Sequence, residues 1–112
     1  MKKEIAEQWV AELRSGKYKQ AKGQLRTKTN SFCCLGVLCN MHAEAHPSIA
    51  ANQTDPTEYM GNDGLLPDEV MKWAGMSSTN GSYNGRCLSN DNDIGMNFSQ
   101  ISIKIEDHWK KL

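Results

Sequence analysis

Three of the four cysteines and two of the three histidines of this chain fall within residues 31–47, SFCCLGVLCNMHAEAHP. Two chemistries use such a concentration. The first is nucleophilic. Cys33 and Cys34 stand where a helix begins, and a helix N-terminus favours the thiolate. A cysteine nucleophile also needs a base in reach. His42 and His46 lie about two and three turns further along the same helix, too far to touch Cys34. Nothing in the sequence brings His108 back to it. The second chemistry is metal binding. Cys39, His42 and His46 follow i, i+3, i+7 spacing, with Cys87 as a distant fourth donor, but the paired C-x-x-C knuckles of structural zinc sites are absent. Against both stands plain core packing, because free cysteine is among the most buried residue types. On that reading His42 and His46 are exposed residues at a helix end, where the dipole favours cations. The thiols are therefore expected to be structural, with no metal and no cofactor.

Two other patterns are weaker. Asn90-Asp91-Asn92-Asp93-Ile94-Gly95 opens like a calcium loop, with glycine sixth, but Ile101 stands at the twelfth position where a glutamate ligand is needed. It reads instead as a capped turn. No P-loop and no G-x-G-x-x-G run is present.

Charge is more informative. The formal net charge is zero, yet residues 14–28 carry six cations (Arg14, Lys17, Lys19, Lys22, Arg26, Lys28) and no acid. Residues 40–100 carry eight acids against only Lys72 and Arg86. Such a strip attracts phosphate or an acidic protein surface. The candidate binding residues are Lys17, Lys19, Lys22 and Arg26, with Tyr18 and Gln20 as shaping groups. A single tyrosine is a poor stacking platform for single strands, and neutrality argues against a dedicated duplex binder. A nucleotide, a nucleic acid or a host protein remains as an anionic partner for the segment. Self-association is left open.

The elements that must position these groups follow from periodicity. Ile5, Trp9 and Leu13 predict a helix over residues 2–15, closed by Gly16. Residues 24–28 predict a short strand that turns at Thr29-Asn30-Ser31 and returns antiparallel into Phe32 and Cys33. Residues 33–46 predict a buried helix capped by Ser31 and ended by Pro47. Gly36 inside it predicts close contact with another element, since mid-helix glycine costs about 1 kcal/mol. Residues 48–66 read as a long polar loop, 66–75 as a short helix, and 77–86, with two Asn-Gly pairs, as turns before a short strand. Residues 98–112 alternate like a strand at Ile101, Ile103 and Ile105. Phe98, Ile101, Ile105 and Trp109 instead keep helical spacing, which predicts a helix capped by Asn97 or Ser99.

At 112 residues with 38% hydrophobic content, one domain spanning 1–112 with a modest core is expected. The fold class is α+β, with about four helices around a central Cys-rich buried helix and a small antiparallel β-hairpin or sheet. No apolar run is long enough to span a bilayer. The opening MKKEIAEQWV has acids where a signal peptide has an apolar stretch. A reducing cytoplasm suits the unpaired cysteines.

The pieces Trp9 to Gln20, Gly23 to Arg26, Phe32 to Asn40, Leu66 to Gly75 and Leu88 to Ile105 resemble a group of small uncharacterised proteins encoded by phages and prophages. That group shows W-x3-L-R-S-G-x-Y-x-Q, a G-x-L-R stretch and F-C-C-L-G-V-L-C-D, then an L-P-x-x-V-x-x-W-x-G block and a closing N-D-x-G block. This chain has Asn40 where the group has aspartate. The resemblance implies a phage accessory protein in the bacterial host cytoplasm and supplies no activity. The leading expectation is a non-catalytic host-takeover or anti-defence inhibitor that neutralises a host protein, a nucleic-acid-processing factor or a nucleotide signal. The alternatives are a cysteine-dependent enzyme using Cys33 or Cys34, and a small zinc-stabilised structural domain.

Overall fold

Helix α2 (Cys34–Ala45) runs through the middle of the molecule, and the other elements are arranged by what they bury against it. The computed structural model describes all residues, 1–112. Residues from Cys34 through Cys39 are buried without interruption, followed by Met41 and His42. A helix apolar on every side must be enclosed on every side. Val37 and Leu38 have no exposed surface.

Gly36 meets the expectation of close contact. A Cβ there would lie 1.8 Å from the Leu25 carbonyl oxygen, which also accepts the Cys33 N–H at 3.3 Å. Backbone thus packs directly on backbone, and no larger residue fits. The cap differs from the one expected. Ser31 belongs to strand β2, and Cys33 is the N-cap, its sulfur accepting the Gly36 N–H at 3.4 Å.

Helix α1 (Lys3–Arg14) and helix α6 (Phe98–His108) pack along each other beside α2. The α1 stripe is Ala6, Trp9, Val10 and Leu13, and the fully buried Trp9 indole donates to the Cys34 carbonyl at 3.0 Å. In α6 helical spacing prevails over alternation: Ile101 and Ile105 are buried, while Ile103 is 49% exposed. Asn97 and Gln100 form a reciprocal capping box that starts this helix.

Strands β1 (Lys19–Gln20) and β2 (Ser31–Phe32) pair in parallel, with Lys19 opposite Ser31 and Gln20 opposite Phe32. The antiparallel return is present, but the expected strand over 24–28 shrinks to a single bridge between Arg26 and Phe32. Strands β3 (Ser82–Tyr83) and β4 (Arg86–Cys87) form a hairpin. Its turn is Asn84-Gly85, both with positive φ (45° and 76°), the combination that a two-residue turn of matching twist requires.

The fold is α+β around a central Cys-rich helix, as expected, but it has six helices rather than four. Pro47 both ends α2 and opens α3 (Pro47–Ala51), so the region read as loop begins helical. Residues 90–95, read as a capped turn, belong largely to α5 (Leu88–Asp93). Helix α4 (Asp68–Ala74) has acids in its first turn and a left-handed Gly75 after its last residue. No helix is long and apolar enough to cross a membrane.

Two substitutions in α2 probe this packing. Leu38→Ala should lower stability in urea unfolding by about 2–5 kcal/mol, the range for truncating a large core side chain. Gly36→Ala should be worse, despite its higher helix propensity, because the obstacle is backbone. A Gly36→Ala protein with the wild-type urea midpoint would show that α2 can move away from Leu25.

Candidate functional site

The cysteines lie inside the core. Cys33, Cys34 and Cys39 are buried, and the Cys34 thiol donates to the Leu88 carbonyl at 3.7 Å. Burial raises the pKa of all three, and for Cys33 it outweighs the N–H of Gly36 acting in the opposite sense. Thiolate is therefore disfavoured where the helix N-terminus alone would favour it. The histidines point to other partners. His42 Nδ1 hydrogen-bonds the Tyr59 hydroxyl at 2.6 Å, His46 Nδ1 donates to the His42 carbonyl at 2.8 Å, and His108 packs beside Tyr83 and Asn84. No three His, Cys, Asp or Glu side chains converge as a ligand set.

His42 corrects an expectation. It is only 2% exposed, because Tyr59 and Trp73 cover the end of α2 edge-on. The His42 and His46 rings stack at 4.0 Å. Burial first, and the neighbouring His46 second, push the His42 pKa below its ordinary value.

The basic segment is sorted by its contacts. Arg14 forms a bidentate pair with Glu106 across α1 and α6, with oxygens at 2.6 and 3.1 Å. Lys17 pairs with Glu12 at 2.8 Å. The Arg14 pair is exposed, where ion pairs contribute little to stability, whereas Glu12 is largely covered; in both pairs the charge is locally balanced. Tyr18 is half-buried, packs edge-on to Phe32 and accepts the Asn40 amide at 2.8 Å. Arg26 lays its guanidinium over Phe32, 5.1 Å from the ring centroid, and donates to Asn30 at 2.6 Å. Lys19, Lys22 and Lys28 are exposed and in no ion pair.

Gln20, expected to shape a ligand site, is spent inside the protein. Its Nε2 donates to Asn92 Oδ1 at 2.9 Å and to the Met96 carbonyl at 2.8 Å, and its Oε1 accepts the Phe98 N–H at 3.1 Å. Asn92, which carried no signal beyond a polar run, is fully buried. Its Oδ1 also accepts the Cys34 N–H at 3.2 Å, and its Nδ2 donates to the Ala21 carbonyl at 2.8 Å. The loop carrying Lys19 and Lys22 is thereby fixed to the start of α2. Gly23 N–H adds a bond to Asp93 at 2.9 Å.

Arg26 also lines a pocket of about 360 Å3 that meets Gly36, Cys39, Asn40 and Ala43 of α2. Residues from α3 and the following loop, Ala50, Gln53 and Glu58 among them, complete its lining.

Residues 1–109 match the model of DUF8296, described as a domain of unknown function, and the chain belongs to that family. No curated protein and no solved structure matches it.

Two measurements test the interior assignments. A thiol reagent should label Cys87, the half-buried cysteine, first, and Cys33, Cys34 and Cys39 only after unfolding; prompt labelling of Cys34 in native protein would contradict its burial. The second is pH dependence. With its folded pKa below 6.5, His42 lets the unfolded chain take up a proton first, so its contribution holds above 6.5 and is lost as pH falls below it. Urea midpoints should fall from neutral pH to about pH 5, and less steeply in His42→Phe. The other two histidines are common to both proteins, so equal slopes would remove His42 as the cause.

Proposed function

We propose that the protein is a phage accessory protein that acts without catalysis in the bacterial cytoplasm, covering an acidic surface on a host protein. The observation that carries this reading is the set Lys19, Lys22 and Lys28. Within one short segment these cations are exposed and unpaired, while the backbone on either side of Lys22 is held by Asn92 at Ala21 and by Asp93 at Gly23. Rigid presentation matters because a pre-ordered surface loses less freedom on binding. The phage resemblance supports the biological setting. An acidic protein is favoured over nucleic acid, since the net charge is zero and the only aromatic ring of the segment is turned against Phe32. A thiol mechanism draws no support from Cys33 and Cys34, which lie buried away from every histidine contact described above.

The contacts also redirect the test. Arg26 is tied to Phe32 and Asn30, so replacing it perturbs structure as well as charge. The informative variant joins Lys19→Ala, Lys22→Ala and Lys28→Ala, exposed changes expected to shift stability by no more than about 0.5 kcal/mol each. Immobilised wild type should retain a discrete host protein from bacterial lysate at low salt and release it as salt rises, since exposed charges attract across screened water. The triple variant, with an unchanged unfolding temperature, should fail to retain it. Equal retention by the variant, or none by wild type, would reject the basic face as the contact.

A further inference from the structure

The pocket beside Arg26 is chemically unlike the lysine face. At about 360 Å3 it sits near the lower end of small-molecule sites, roughly 300–1,000 Å3, and suits a ligand of a few heavy atoms rather than a polymer. Part of its lining is apolar: Phe32, Cys39 and Ala43.

The polar part has an unusual balance. Arg26 and Glu58 both line it, and neither belongs to any ion pair; the pairs in the molecule are Lys3–Glu7, Arg14–Glu106, Lys17–Glu12 and Arg86–Asp91. Arg26 is held in place by Asn30 and Phe32, and its Nε is buried with no hydrogen-bond partner in the protein.

Asn40 spends its amide group on Tyr18 and Glu44, at 2.8 and 3.1 Å, which leaves its carbonyl oxygen available. Gln53 likewise spends Nε2 on the Asp55 and Glu58 carbonyls, leaving Oε1. The lining therefore offers one cationic donor group, Arg26, against three acceptors: the Glu58 carboxylate and the oxygens of Asn40 and Gln53.

A matching ligand carries an anionic acceptor next to a group rich in N–H donors. An ammonium has three donors and no acceptor, and a carboxylate the reverse. Arg26 suits a carboxylate because its donors are arranged as a planar fork. Glu44, hydrogen-bonded to Asn40, places a second carboxylate next to the lining beside that of Glu58. That field disfavours a nucleotide, whose phosphate brings excess negative charge, and tolerates a molecule with no net charge.

We propose that this pocket binds a free α-amino acid with an apolar side chain. The carboxylate sits on Arg26, the ammonium on Glu58, Asn40 and Gln53, and the side chain against Phe32, Cys39 and Ala43. The site is separate from the lysine face, so either assignment stands or falls without the other.

Calorimetry on the full chain tests it, titrating leucine, methionine and phenylalanine singly. Parallel titrations use isoamylamine and isocaproate, which each keep one charged group of leucine, and guanosine and GMP. At least one amino acid should bind saturably, and for leucine each single-charge analogue should be weaker by about tenfold or more. Glu58→Gln, an exposed change, should weaken binding by about the same factor. Arg26→Gln should do so too if it folds. Ala50→Trp, at the exposed rim, should block the pocket while leaving the unfolding temperature of the free protein unchanged. Absence of amino-acid binding at millimolar concentration would overturn the proposal. So would preference for guanosine or GMP, or wild-type binding by both Glu58→Gln and Ala50→Trp.

Discussion

The buried carboxamide of Asn92 is the joint on which the remaining arrangement depends. It gives the first amide of α2 an acceptor, and it also holds the Gln20 side chain and the Ala21 carbonyl. Through Gln20 the same network reaches the Met96 carbonyl and the first amide of α6. Two adjoining side-chain amides thus join β1, α2, α5 and α6. Every partner is a strong polar group in or near the core, and an unmet one costs about 1–3 kcal/mol. An aspartate at 92 could accept from Cys34 but could not donate to Ala21. An aliphatic residue could do neither.

That network also links the interior to the surface. Lys19 and Lys22 flank the two residues that Asn92 secures, so the placement of the exposed cations is set by a buried contact. Arg26 on the other side is set by its bridge to Phe32 and by the ring beneath it. The segment over residues 14–28 therefore supplies two faces of different character. One is an exposed lysine surface open to a large partner, and the other is a guanidinium at the wall of a small pocket that also holds Glu58.

The parts legible in the sequence were those with dense local signals. Trp9 and Leu13 in α1, Cys34, Leu38 and Met41 in α2, and Ile101 and Ile105 in α6 repeat at helical spacing, and those helices formed where expected. Asn84-Gly85 specified its turn by backbone conformation alone. Helices α3 and α5 escaped because they are short and mostly polar, so their stability comes from tertiary partners rather than from propensity. The two-residue parallel pairing of β1 with β2 escaped for the same reason. Composition marked the basic segment but not which cations were free, since that depends on Glu12 and Glu106 reaching Lys17 and Arg14. His42 looked exposed because the residues that cover it, Tyr59 and Trp73, are distant in sequence.

Storing thiols in the core has a kinetic consequence. Folded, Cys33, Cys34 and Cys39 are withheld from oxidants by burial. Unfolded, all four cysteines recover ordinary thiol acidity, near 8.5, on a mobile chain where any two can meet. A disulfide from Cys33, Cys34 or Cys39, within the chain or to a second molecule, cannot be accommodated where the first half of α2 is buried. Each unfolding excursion in an oxidising medium can therefore end in a covalent trap. Because thiol oxidation is slow beside refolding, the working lifetime of the protein outside a reducing compartment follows the fraction of time the chain spends unfolded.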